Sequence, residues 1–220
     1  MTTRNVIVAD DHPLFREALS LALAKALGPV SIVEAGNMED LQRTCRTEEA
    51  ADLVLLDLHM PGVRGFSALV YLRAHHPELP ICVISANNNP RVVQRAMDHG
   101  AAAFIHKSAS VDEIREVLNA VLAGEIWQSQ ESESNDIQHD ELDVAERIGE
   151  LTPQQFRVLM MLADGLLNKQ IAFDLGISEA TVKAHMTAIF RKLDVSNRTQ
   201  AVLLVNQLAV ESPENTASGF

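Results

Sequence analysis

Five short runs of β-branched and aliphatic residues, each followed by a helix-length amphipathic stretch, occupy the first 125 residues of this chain. The runs are Val6–Ala9, Val30–Glu34, Leu53–Leu56, Ile81–Ser85 and Ala102–Ile105. Most are continuously apolar rather than alternating, as strands of a parallel sheet must be when helices cover both faces. Helical segments fall near 13–27, 38–47, 65–75, 90–99 and 110–123, and Gly28, Gly100 and Gly124 stand where three of them should stop. The alternation predicts an α/β fold, an open, doubly wound five-stranded parallel sheet. Its ligand site should lie at the carboxyl ends of the strands.

At 220 residues the chain has room for a second, smaller domain. From Gln128 to Asp143 it is polar and acidic with no apolar period, as expected of a linker. Leu142, Ala145 and Ile148 recur three apart and predict a short helix there. Beyond Leu151 the pattern is purely helical, near 152–164, 168–175, 178–193 and 198–208. These boundaries divide the chain into a sheet domain over 1–125, an acidic linker over 126–147, an all-α domain over 148–210 and a flexible tail over 211–220. No apolar stretch approaches the ~20 residues that a membrane span needs, and two carboxylates end the short apolar run at the N-terminus, unlike a signal peptide. Cys45 and Cys82 are far apart and outside any metal-ligand spacing, which suits a cytoplasmic chain with inert thiols.

The net charge of −12 would oppose nucleic-acid binding if it were spread evenly. Residues 1–127 hold 11 basic against 16 acidic side chains, and 128–146 hold none against seven. Residues 147–210 hold seven against five, so this segment alone is net positive and suited to meet phosphates.

Three carboxylates fall where a parallel sheet would gather them: Asp10 and Asp11 after the first strand, Asp57 after the third. Like charges so placed repel unless a cation neutralises them. A hard divalent ion such as Mg²⁺ suits such oxygens and keeps waters for a phosphoryl ligand. Lys107, just past the fifth strand, brings an ammonium to the same rim, and Ser85 brings a hydroxyl. Together these make a clamp for phosphoryl oxygens, with Asp57 as the nucleophile that forms an acyl phosphate. His12, His75, His76 and His99 read as surface residues rather than ligands.

Asp10-Asp11, Leu-Asp57-Leu-His59-Met-Pro61-Gly62-Val-Arg-Gly65, Ser85-Ala86 and Phe104-Ile-His-Lys107-Ser resemble the receiver domains of two-component response regulators over roughly 1–125. The resemblance implies that a sensor histidine kinase phosphorylates Asp57. It also implies that Asp11 and Asp57 bind Mg²⁺ directly, Asp10 largely through water, and His59 through its backbone carbonyl. Phosphorylation would draw Ser85 inward, and the ring of Phe104 would follow. Phe104 departs from the tyrosine many relatives carry, so this ring has no hydroxyl to anchor it. Asn87 occupies a position that tunes acyl-phosphate lifetime in the family.

Asn168-Lys-Gln-Ile-Ala172-Phe-Asp-Leu-Gly176-Ile-Ser178-Glu-Ala-Thr-Val182 has the logic of a helix-turn-helix. Asn168 can cap one helix, Gly176 end it, and Ser178 cap the next. In that second helix Val182, Met186, Ile189 and Leu193 form one apolar stripe, with Lys183, Ala184, Thr187 and Arg191 on another face that can reach the major groove. Lys169, Arg191, Lys192 and Arg198 can hold phosphates.

The wider pattern, Leu151-Thr-Pro153 through Asn168-Lys169, Ser178, Thr181-Val182-Lys183, His185, Lys192-Leu193 and Asn197-Arg198-Thr199, resembles LuxR-type DNA-binding domains. The whole chain is thus similar to response regulators of the NarL/FixJ class. That likeness implies a phosphorylation-controlled transcriptional regulator that binds promoter DNA, with a kinase partner and a homodimer on two half-sites, and no membrane association. The segment 198–208, with Ala201, Val202, Val205 and Leu208 on one side, resembles the family's dimerisation helix or else covers its own core.

Two other readings are weaker. An aspartyl-phosphate phosphohydrolase would need a second Asp where His59 stands. An adaptor acting only through protein partners would leave the Lys183 face without a purpose.

Overall fold

The structure is a computed structural model that describes residues 3–47, 51–127 and 139–210. The acidic stretch 128–138 and the tail 211–220 lie outside the described residues. The sheet domain runs β1 (Arg4–Ala9), α1 (Pro13–Leu27), β2 (Val30–Ala35), α2 (Met38–Thr47), β3 (Leu53–Asp57), α3 (Ser67–His75), β4 (Ile81–Ser85), α4 (Pro90–Asp98), β5 (Ala103–His106) and α5 (Val111–Leu122). The helical domain follows as α6 (His139–Gly149), α7 (Pro153–Ala163), α8 (Asn168–Leu175), α9 (Glu179–Lys192) and α10 (Arg198–Asn206). Element ends differ from the sequence expectation by a residue or two, because the apolar period says little about where pairing stops.

All five strands are parallel in the order β2-β1-β3-β4-β5. Alternate residues feed two cores. Val6, Val8, Leu55, Ile84 and Ile105 pack under α1 and α5, whereas Ile7, Val54, Leu56 and Val83 pack under α2, α3 and α4. Burial pushes the thiols of Cys45 and Cys82 up to about 11 and about 12, so neither is a thiolate at neutral pH.

Helix starts in the second domain are built by side-chain caps. Thr152 accepts from Gln155 N at 3.3 Å while Gln155 Oε1 accepts from Thr152 N at 3.1 Å, and Ser178 and Asn197 cap α9 and α10. At α8 the expectation needs correction. Asn168 is the first helical residue and does not cap; Leu167 precedes it, and its N–H donates to Gln170 Oε1 at 2.7 Å. Gln170, three residues on, thus does the work from inside the first turn. Gly176 ends α8 in the left-handed conformation at φ +65°, which allows the tight turn into α9.

In α9, Val182, Ile189 and Leu193 are fully buried and Met186 partly so. Ile189→Ala is expected to cost about 3 kcal/mol through the cavity it leaves. Thermal unfolding of the full chain, with the helical domain followed separately from the sheet domain, would check this.

The apolar core on the α2–α4 side continues into the helical domain. Helix α6 lies along α3, with Val144 and Ile148 buried and Leu142 43% exposed. Tyr71 and Phe156 meet across the boundary with ring centroids 4.6 Å apart. On α10, Ala201 and Val205 are buried, as is Leu208 just beyond it, so this face covers core, while Leu203 is exposed.

Candidate phosphoacceptor pocket and nucleic-acid face

The register of the sheet assembles the pocket. Asp57 pairs with Ile84 and Ser85 with His106, and β1 ends beside β3, so Asp10, Asp11, Asp57, Ser85 and Lys107 emerge at one edge. Asp10 and Asp57 are buried, and Asp11 is partly exposed. Lys107 Nζ lies 2.7 Å from Asp10 Oδ2 and donates to Asp57 Oδ2 at 2.9 Å, with the Phe15 ring centroid 4.7 Å away. Burial pushes Asp57 above the usual carboxylate range, helped by the Asp10 charge and opposed by Lys107 and the His59 N–H. Burial also works against the Lys107 ammonium, but the hydrogen bonds and charges of Asp10 and Asp57 outweigh it and hold Lys107 above its ordinary value.

One oxygen or nitrogen each from Asp10, Asp11, His12 and Asp57 lies within 4.8 Å of the others. Asp10 Oδ2 and Asp11 Oδ1 are buried without a well-formed hydrogen bond, and their nearest partners are Lys107 Nζ and His12 Nδ1, each at 2.7 Å. Hard oxygen donors with excess negative charge fit a divalent cation. His12 itself is largely exposed but turns its ring nitrogen to Asp11, which its sequence position alone did not show. Ser85 is buried, and its Oγ accepts from Asn87 N at 3.1 Å. Phe104 is partly buried against the core on the α4 side.

On the helical domain, Lys183, Ala184, Thr187 and Arg191 of α9 are exposed and His185 is half-buried. Thr187 Oγ1 donates to Lys183 O at 3.0 Å, and Ser178 and Thr181 share a bond of 2.9 Å between hydroxyls. Lys169 is exposed at the start of α8. Two basic residues expected at phosphates already have carbonyl partners. Lys192 Nζ donates to Glu150 O at 2.7 Å and Gln155 Oε1 at 2.9 Å, and Arg198 to Leu162 O and Leu166 O.

Sequence reasoning missed the contacts between domains. His99, expected on the surface, is buried, and its Nε2 lies 2.8 Å from Glu141 of α6. Arg95 joins the same carboxylate at 2.6 Å and donates to Gln207 O and Ala209 O beyond α10. Arg64 reaches Asn206, Ala163 O and Asp164, and Phe66 N donates to Leu208 O at 2.9 Å. Each pair is separated by dozens of residues or more, so no local pattern announces it.

Comparison with known proteins agrees with fold and pocket. Residues 6–119 match the family model of the response regulator receiver domain, and residues 149–205 match that of the bacterial regulatory proteins of the luxR family. The chain therefore belongs to the two-component response regulators that join a receiver to a LuxR-type helix-turn-helix. It is a DNA-binding transcription factor, not an enzyme that turns over an external substrate. It is 36% identical to the glycerol metabolism activator of Pseudomonas putida over 205 residues, covering 90% of this chain and 93% of that one. It is 32% identical to the nitrate/nitrite response regulator NarP of Escherichia coli over 208 residues, covering 94% and 96%. A solved structure of the Salmonella typhimurium RcsB response regulator superposes with a TM-score of 0.55 at 25% identity, covering 94% of this chain and all of that one.

Proposed function

We propose that Asp57 takes a phosphoryl group from a sensor histidine kinase and that the acyl phosphate controls promoter binding by a homodimer. The observation that carries this is the convergence of Asp10, Asp11, Asp57 and Lys107 in one chain with a helix-turn-helix whose reading face is open. Asp10, Asp11 and Asp57, with the His59 carbonyl, would hold Mg²⁺, which when bound offsets the charge of the phosphoryl oxygens. A carboxylate oxygen of Asp57 attacks phosphorus as the bond to the kinase imidazole breaks. Lys107 then shifts from Asp57 toward the new phosphoryl oxygens, and Ser85 turns its hydroxyl to them.

In the helical domain, Lys183 and Ala184 read base edges, with His185 and Thr187 beside them. Asn168, Lys169, Ser178, Thr181, Arg191 and Lys192 face the backbone. The similar Salmonella protein is described for its DNA interaction, which supports this assignment. Lys183→Ala is expected to weaken binding to selected promoter fragments by about tenfold, the scale of one lost base contact. Fluorescence anisotropy at fixed salt would measure it.

The unphosphorylated receiver restrains the helical domain through Arg64, Gly65, Phe66 and Arg95, which hold the end of α10 and leave α9 uncovered. Restraint therefore acts on how two copies align rather than on access to Lys183. Promoter affinity and oligomeric state with and without a stable phosphoryl mimic test this reading. Equal values in both conditions would remove the switch and leave a constitutive DNA binder.

A further inference from the structure

We infer that His106 is a positioning residue for the phosphorylation of Asp57: its imidazole tethers to β5 the loop that follows Ser85, supplying the polar anchor that Phe104 lacks. The inference rests on the phosphoacceptor reading above and names a residue that governs how readily that pocket rearranges.

Ser85 and His106 are paired across β4 and β5, and Lys107 N donates to Ser85 O at 2.8 Å. Ala103 and Ile105 face the core under α1 and α5, so Phe104 and His106 share the opposite face, one pleat apart. Beyond Phe104, toward the pocket, the imidazole sits against the first residue after Ser85. His106 Nε2 lies 3.0 Å from Ala86 O, and Nδ1 lies 2.6 Å from Ser108 Oγ and 3.3 Å from Ser108 N.

These partners assign the tautomer. A carbonyl only accepts, so Nε2 carries the hydrogen and donates to Ala86 O. Nδ1 is then the acceptor, and both Ser108 groups donate to it. Each polar atom of the ring has one role, and the ring is fixed from both sides.

What it holds is the segment that must move. Ser85 Oγ accepts from Asn87 N at 3.1 Å, Asn87 Oδ1 accepts from Asn89 N at 3.0 Å, and Asn89 Oδ1 accepts from Arg91 N at 3.0 Å at the start of α4. Residues 85–91 thus form a continuous run of local bonds from the pocket into α4. On this inference, release of the Asn87 amide by Ser85 lets the adjoining peptide turn, and the Ala86 carbonyl turns with it. The His106 bond opposes that turn. Loss of the bond should favour the phosphoryl-accepting arrangement.

The test compares the full chain with His106→Leu, which cannot donate, and His106→Gln, whose side-chain amide can donate to Ala86 O and accept from Ser108. With acetyl phosphate and Mg²⁺, His106→Leu should be labelled about fivefold faster than the parent protein, the scale of one hydrogen bond, and His106→Gln should return to within about twofold. Amide hydrogen exchange at 86–89 should quicken in the Leu variant only, while β1 and β3 amides stay as protected as before. A merely damaged fold would slow labelling and expose the strands, so the sign separates the two causes. Labelling of His106→Leu at or below the parent rate, with unchanged exchange at 86–89, overturns the inference while the phosphoacceptor reading stands. If the parent protein takes no label, that reading fails, and exchange at 86–89 alone decides whether His106 tethers the loop.

Discussion

Asp57→Asn protein should take up no phosphoryl group from acetyl phosphate during the time in which the parent protein reaches its plateau. Asparagine keeps the size and one carbonyl oxygen of the original side chain, so Lys107 retains a partner, but the amide is not a nucleophile. The same substitution should raise the melting temperature in metal-free buffer at neutral pH. Burial raises the pKa of Asp57 in the fold, so its ionised form is less stable there than in the unfolded chain. A raised folded value means that the group's favourable contribution is present below its unfolded pKa and is lost as pH rises through the folded one. The variant escapes that loss, so its advantage should vanish as pH falls below the ordinary value of 3.8 and shrink when Mg²⁺ is added. Undiminished labelling would move the acceptor to Asp10 or Asp11 and dismantle the proposed roles. A lower melting point would mean that Asp57 stabilises the resting pocket.

Gly65→Ala should free the helical domain. Gly65 stands at φ +51°, where an L side chain costs roughly 1 kcal/mol, and an added Cβ would lie 2.6 Å from Val210 N and 2.8 Å from Ala209 Cα, with Leu208 O closer still. Those are backbone atoms, which cannot rotate aside as a side chain would, so the end of α10 must leave the receiver. The Phe66–Leu208 bond and the Arg95 contacts to Gln207 and Ala209 would loosen with it. If this interface restrains the protein, the unphosphorylated variant should bind promoter DNA about tenfold more tightly, a coupling within the usual range for linked sites. Arg95→Ala provides the second arm, because it removes the contacts of Arg95 to Gln207, Ala209 and Glu141 without straining residue 65. Promoter affinity measured by anisotropy, with hydrodynamic radius alongside, reads both variants. Parental affinity and radius in both would place the restraint elsewhere.

Much of the receiver was legible before any coordinates. Continuous apolar strands, glycine stops and helical stripes are local or periodic signals, and parallel pairing then brings Asp10, Asp57, Ser85 and Lys107 to one edge whatever the details of packing. The helix-turn-helix was legible for the same reason, since Ser178 caps α9 and the Val182–Ile189–Leu193 stripe is buried as its spacing requires. The cap at α8 was misread because the signal weighed was Asn168 itself, whereas the bond comes from Gln170, three residues on.

Tertiary structure alone decided the rest. Nothing around His99 or Glu141 marks them as partners, since they meet only when α6 lies along α3 and brings Glu141 to the end of α4. The partners of Lys192, Glu150 O and Gln155 Oε1, come from dozens of residues away, and the apolar side of α10 could have served a dimer or a core until the packing assigned it. Periodicity records which face of a segment avoids water, because that preference is written residue by residue. It does not record which other surface supplies the shelter, because orientation between packed units emerges from many weak contacts summed over distant parts of the chain.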